Sequence, residues 1–489
     1  MDADTFRTLG HALVDQLAEL VASVPGRPVT PDESPSAVRE ALGLRGPLPE
    51  SGTDAAALLA EIAPRLFEHS LFNAHPRFFG YITAPPAPIG ILGDFLASAL
   101  NANVGAWRLS PAATELEVQT IRWIAQLIDY PSECGGLLVS GGNQANIVCL
   151  LAARAAGAGW DVRKLGMAGA GCRSLVAYAS AETHTWIQKA ADIAGLGTEA
   201  IRWIPTDERL QMDLNKLAQA IDRDVAAGHT PFLVVGTGGS VSTGAIDPLP
   251  ELAALCRERG IWFHVDGAYG GFAAAVPEAP GALRGLSLAD SVAVDPHKWL
   301  YAPLEVGCAL VRDQERLRSA FAYHPAYYHF AEQATNFVDF GPQNSRGFRA
   351  LKVWLALRQA GASGYRQMIA DDIRLSRRMA DAVTAHSELE LFTQDLSITT
   401  FRYVPAALRA SRGEGETAAY LDVLNTAVLD AMQRGGEAFV SNAIVHGRYA
   451  LRACIVNFHT EAADVDAVPG IVVAHGRRLD SERRPAALG

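Results

Sequence analysis

A chain of 489 residues, 49% hydrophobic and 19% charged, can bury more than one core and has the balance of a globular protein, which excludes a disordered or fibrous one. Its formal net charge of −11 disfavours a nucleic-acid partner, because phosphate needs a basic face. The six cysteines, at 134, 149, 172, 256, 308 and 454, include no Cys-x-x-Cys pair, so neither disulfides nor a structural metal is expected.

Residues 1 to about 70 read as helical, interrupted from Pro25 to Pro35 and without a strand signal. The start carries Asp2, Asp4 and Asp15 and lacks the basic-then-apolar order of a secretion signal, and no segment reaches the roughly 18 apolar residues of a membrane span. A cytoplasmic protein with no membrane partner is the expectation. From about Gly136 to Asp313, short apolar runs alternate with helical patterns such as Leu214–Ala227 and Leu249–Arg259. The runs are 137–139, 175–178, 201–204, 232–235, 261–265, 291–294 and 308–311, apolar enough to be strands covered on both faces. This alternation predicts a doubly wound α/β domain with a largely parallel seven-stranded sheet. After the helical pattern Arg349–Ala360, helices mix with strand-like runs at 398–403 and 449–457, which predicts a small α+β domain. The expected division is a helical segment at 1–75, a large domain at 76–370 and a small C-terminal domain at 371–489.

Ligands of open α/β sheets sit beyond the carboxyl ends of the strands, so the polar residues there matter most. After the first run comes Ser140-Gly141-Gly142-Asn143-Gln144-Ala145-Asn146, a turn into a helix whose exposed N–H groups suit a phosphate; a tight turn without a ligand is the competing reading. The dinucleotide fingerprint and the Gly-Lys-Ser/Thr ending of a nucleotide-triphosphate loop are missing, which weakens a nicotinamide or ATP reading. Asp266 leaves an apolar run, where its carboxylate calls for a cation such as a protonated pyridine nitrogen; a helix cap is the alternative. His264 and Asp266 have a metal-like spacing but no third ligand. Lys298, in Asp295-Pro296-His297-Lys298-Trp299, follows another buried run, where desolvation would favour the free amine that attacks an aldehyde. His184, after a further run, could lay its ring on a planar cofactor or be a satisfied histidine near a helix start. A phosphate turn, a flat ring, an acid and a lysine, each after a different strand, are the four things pyridoxal 5'-phosphate (PLP) needs.

The chain resembles the group II PLP-dependent amino-acid decarboxylases, the family of aromatic-L-amino-acid decarboxylase, within the aspartate-aminotransferase-like fold (PLP fold type I). The matching stretches are His75-Pro76-Arg77-Phe78-Phe79-Gly80, Leu109 to Glu117, the His184, Asp266 and Lys298 segments, and Ser345-Arg346-Gly347-Phe348-Arg349-Ala350-Leu351-Lys352. The resemblance implies that Lys298 carries PLP as a Schiff base, Asp266 pairs with the pyridine nitrogen and His184 stacks on the ring. It further implies that Gly142 and Asn143 form the phosphate turn, His297 lies on the phosphate side and Ala268 lies under the ring. His75, Tyr81, Asn103 and Arg452 fall at the substrate end, and the family implies a homodimer with composite active sites, its helical N-terminal segment wrapping the partner.

Three departures bear on the reaction. Phe337 matches, without gaps, the position of the tyrosine that protonates Cα, although Tyr327 and Tyr328 are close by. Val241 stands where the family often has threonine, with Ser240 beside it as a substitute. Asn73, Ile82, Asn103 and Gly105 make the pocket smaller or more polar than an aromatic-substrate pocket. The expected function is a carbon–carbon lyase that decarboxylates an L-amino acid, aromatic by the family's suggestion, to the amine and carbon dioxide. The rival is aldehyde synthesis by decarboxylation-dependent oxidative deamination, suggested by Phe337. Transamination and desulfuration belong to other branches, and a catalytically dead scaffold would be expected to have lost Lys298 or Asp266.

Overall fold

In the computed structural model, residues 1–169, 171, 173–323 and 334–488 are described. The seven apolar runs become strands β1 (Gly135–Val139), β2 (Leu175–Ser180), β3 (Ile201–Ile204), β4 (Thr230–Thr237), β5 (Trp262–Asp266), β6 (Ser291–Val294) and β7 (Gly307–Val311). They form one sheet in the order β1-β7-β6-β5-β4-β2-β3. The central strands β5 and β6 are buried along their whole length, which is why they carry no polar alternation. The predicted largely parallel α/β sheet is borne out: only β7 runs against its neighbours β1 and β6. Because β7 opposes both, β1 points the same way as β6, and β5, β4 and β2 follow in parallel. The turns after Val139, Ser180, Thr237, Asp266 and Val294 therefore lie along one edge.

The chain divides into two compact units: 82–374 with 394–398, which holds this sheet, and 1–81 with 375–393 and 399–489. In the second unit the N-terminal segment is helical over Ala3–Ser23, Pro35–Ala41 and Ala55–Glu68, with the side chains of Asp2, Ser34 and Asp54 capping the three starts. Strands β8 (Leu389–Asp395), β9 (Ile398–Tyr403), β10 (Ser441–Val445) and β11 (Arg448–Cys454) make a sheet in the order β10-β11-β9-β8. The helices Gly415–Gly435 and Ala462–Arg483 bury Leu421, Leu424, Val428, Val465, Val468 and Val472 in the same core as Leu451 and Ile455. No helix among the described residues is long and apolar enough to cross a membrane.

A buried ion pair fixes β1 in the large unit. Glu117 and Arg346 are both sequestered; Arg346 donates to Glu117, to the Leu138 carbonyl at 2.7 Å and to the Val104 carbonyl at 2.9 Å, while Glu117 accepts the Leu138 N–H at 2.9 Å. The strand that delivers the Gly141–Gly142 turn is thus held at its penultimate residue by charge-assisted bonds.

Candidate active site

The turns after β1, β5 and β6 converge. A Cβ on Gly142 would lie 2.5 Å from Asp295 Oδ2 and 2.9 Å from the Ala268 methyl, so only glycine fits between them. Gly141 adopts φ +98°, which favours glycine, and the His297 ring stands 3.2 Å from where its Cβ would be. The helix Gly142–Gly157 starts here, with Asn143 exposed in its first turn. Its free N–H groups and the absence of side chains at 141 and 142 make a cradle that suits a phosphate group. His297 sits beside the cradle, its Nδ1 donating to the Val306 carbonyl at 2.7 Å.

Lys298 points back to the same place. Its Nζ is 3.1 Å from Asp295 Oδ2, so the lysine is charge-paired rather than isolated in an apolar pocket as desolvation alone would have it. Asp295 is buried, and its Oδ1 has no hydrogen-bond partner. His184 accepts the Trp186 N–H on Nδ1 at 3.2 Å, and its imidazole is held below the ordinary histidine value: desolvation by neighbouring atoms comes first, Asp266 opposes it and Lys298 adds to it, although much of the ring surface stays open.

Asp266 ends β5 and is 8% exposed. Its Oδ1 accepts the Ala268 N–H at 3.1 Å and its Oδ2 the Trp186 indole N–H at 2.7 Å, while no cationic side chain pairs with it among the described residues. A buried carboxylate with neutral donors only is what a protonated pyridine nitrogen would complete. His264 does not share a metal with it, since both ring nitrogens are engaged, by Ser291 at 2.8 Å and Asn146 at 2.7 Å. Ser240, after β4, is buried and pairs with the Thr243 hydroxyl at 3.0 Å, and Val241 beside it is exposed.

Two of the candidate residues make contacts that the sequence did not suggest. Phe337 is buried, its ring lies 4.6 Å from the Arg346 guanidinium, and with Ile121 and Gly136 it lines a small cavity that reaches Gly135, the first residue of β1. The ring is packed against the same guanidinium that clamps Leu138, a contact the sequence did not announce. Tyr327 and Tyr328 lie outside the described residues. Asn103 accepts the N–H groups of Gly105 at 3.2 Å and Arg346 at 3.1 Å on its side-chain oxygen.

In the other unit, Arg452 is buried and donates to the Tyr81 carbonyl at 3.1 Å and to Ser441 at 2.9 Å, leaving Nε and Nη2 without partners. Tyr81 has φ +52° and a largely exposed ring, and buried His75 accepts the Arg77 N–H at 3.0 Å; its imidazole is held down by burial. Sequence reasoning gave no role to Asp295 or Trp186. Asp295 was readable as the acid three residues before Lys298, but nothing local marked Trp186, whose partner lies 80 positions away.

A helix-terminus cradle, a lysine, a buried acid and an open histidine at one edge of a doubly wound sheet define a pyridoxal-phosphate-binding protein, and these residues fit the group. The chain belongs to the pyridoxal-dependent decarboxylase family, whose conserved domain matches residues 42–404. It is 31% identical to an aromatic-L-amino-acid decarboxylase of Bacillus atrophaeus over 95% of this chain and 94% of that one. It is 29% identical to a phenylacetaldehyde synthase of a Rosa hybrid cultivar over 98% and 95%. Among solved structures, Oryza sativa TDC with PLP and tryptamine superposes with a TM-score of 0.90 at 29% identity, covering 98% of this chain and 99% of that one. Mouse CSAD gives 0.89 at 25%, over 96% and 99%. The protein is a PLP-dependent amino-acid decarboxylase, a carbon–carbon lyase.

Proposed function

We propose that this decarboxylase converts an aromatic L-amino acid to its amine and carbon dioxide, with Lys298 carrying the cofactor. The observation that carries the residue assignment is the convergence of Gly142, Ala268, Asp295 and Lys298 at the edge where Asp266 and His184 also emerge. Relatives named for aromatic amino acids, including a tryptophan decarboxylase of Oryza sativa at 31% identity over 96% of this chain, support the substrate class.

When bound, PLP accepts the electrons left behind as carbon dioxide departs. Around it, the 141–143 turn, with Ser240 and His297 on the same side, would hold the phosphate through backbone N–H groups. Asp266, anionic and fixed by two neutral donors, would keep the ring nitrogen protonated. His184, held toward its neutral form, would lie on the ring and could move a proton at its free nitrogen. Lys298 would yield its place to the substrate amine, with Asp295 retaining the displaced ammonium. The two unpartnered N–H groups of Arg452, with His75 and Tyr81 in the same unit, suit a carboxylate. Amine is favoured over aldehyde because the residue that suggested aldehyde synthesis, Phe337, is buried on Arg346.

We further infer a homodimer. Leu92, Phe95, Leu96 and Leu100 form an exposed apolar stripe on the helix Pro88–Leu100, and Phe6, Val14 and Val21 are exposed on Ala3–Ser23, the kind of surface a second copy covers. Buried cysteines outside any disulfide at 149, 256 and 308 suit the reducing cytoplasm. The test of the central reading is borohydride reduction of the purified protein, which should fix the pyridoxyl group on the peptide containing Lys298, with amine and carbon dioxide formed in equal amounts from an aromatic amino acid. Label on another lysine would overturn the assignment.

A further inference from the structure

Buried carboxylates need donors, and the donor on Asp266 comes from an unexpected element. Trp186 opens the helix Trp186–Ile193 after β2, is buried, and gives its indole N–H to Asp266 Oδ2 at 2.7 Å. The Ala268 N–H takes Oδ1 at 3.1 Å. Two donors, one on each oxygen, define the plane of the carboxylate.

The indole is itself held. Its ring meets that of His264 edge-on, with centroids 5.7 Å apart and planes at 85°. Asn146 donates through Nδ2 to the Gly142 carbonyl at 2.9 Å, so its Oδ1 is the acceptor for His264 Nε2 at 2.7 Å. His264 Nδ1 then accepts from Ser291, whose hydroxyl oxygen receives the Trp262 indole N–H at 2.8 Å. Burial lowers the His264 pKa to about 4, which keeps this single neutral tautomer. From the Gly142 turn through Asn146 and His264 to Trp186 and Asp266, every contact is directional.

We propose that Trp186 is a positioning residue for Asp266: its N–H holds the carboxylate in one orientation toward the cofactor nitrogen and shares its negative charge. This rests on the reading that Asp266 is the partner of that nitrogen. A phenyl ring at 186 would keep the apolar contact with His264 and lose the restraint.

The experiment compares wild type, Trp186→Phe, Asp266→Asn and the double variant as holoenzymes, measuring PLP retention on dialysis, the pH dependence of the bound cofactor's absorbance, and kcat against KM. Trp186→Phe should weaken PLP retention about 10- to 100-fold, the scale of a lost hydrogen bond to a charged acceptor, and lower kcat more than it changes KM. In the Asp266→Asn background the same substitution should do little more. Equal losses in both backgrounds, or no loss in the single variant, would overturn the inference. If Trp186→Phe does not fold, benzothienylalanine at 186, which puts sulfur in place of the N–H, should give the same loss, and unchanged retention there would overturn it. An Asp266→Asn protein with unaltered retention and absorbance would sink the reading of Asp266 itself, whereas an altered Asp266→Asn with an unaltered Trp186→Phe would sink only the role of Trp186.

Discussion

Replacing Arg346 with Met tests whether the buried clamp on β1 holds the cofactor turn. Arg346 lies wholly inside, bonded to Glu117 and to the carbonyls of Leu138 and Val104, with the Phe337 ring against its guanidinium. Methionine fills much of the volume but leaves the Glu117 carboxylate buried with the Leu138 N–H as its remaining partner among these. Removing one member of such a pair costs about 3–5 kcal/mol. At roughly 1–2 °C per kcal/mol for a unit of this size, the melting temperature should fall by about 3–10 °C. Adding Glu117→Gln removes the stranded charge and should recover a large part of that loss, a coupling that a double-mutant cycle reads directly. Calorimetry and urea unfolding give the stability, and PLP retention reports the turn after Val139, which should loosen in the single variant. A loss below about 1 kcal/mol for Arg346→Met, or no recovery on adding Glu117→Gln, would refute the reasoning.

Two buried groups should set opposing pH slopes on stability. His264, lowered by burial to about 4 from the ordinary 6.5, leaves the folded state with fewer protons than the unfolded one, so its contribution is full above about pH 6.5 and is lost as pH falls toward 4. Asp247, raised by burial to about 6 from 3.8, does the reverse: its contribution is full below about pH 4 and is lost as pH rises to 6. Urea titrations from pH 4 to 7 should therefore show a steeper rise of stability with pH in Asp247→Asn and a flatter one in His264→Gln, each by at most about 1.4 kcal/mol per pH unit; parallel curves would contradict both assignments. Phe337→Tyr should leave amine as the product with and without oxygen, since the ring at 337 is buried against Arg346; a shift in the amine-to-aldehyde ratio would put this residue at the reacting centre.

What the sequence determined by itself was the sheet and the points where chemistry emerges from it. Runs such as Val292-Ala293-Val294 and Phe232-Leu233-Val234-Val235 must be covered on both faces, and a polar residue directly after such a run, as Asp266 is after Val265, has to stand at the edge. The lysine, the acid, the histidine and the glycine turn were legible for that reason. Tertiary structure decided what each of them touches, because those partners are set by strand order and helix packing and are distant in sequence. Trp186 and Asp266 are separated by 80 positions and Glu117 and Arg346 by 229, and no local pattern announces either bond. Phe337 shows the same limit from the other side: an ungapped match placed it at an acid's position, while its apolar ring packs on a buried guanidinium that no local pattern announces.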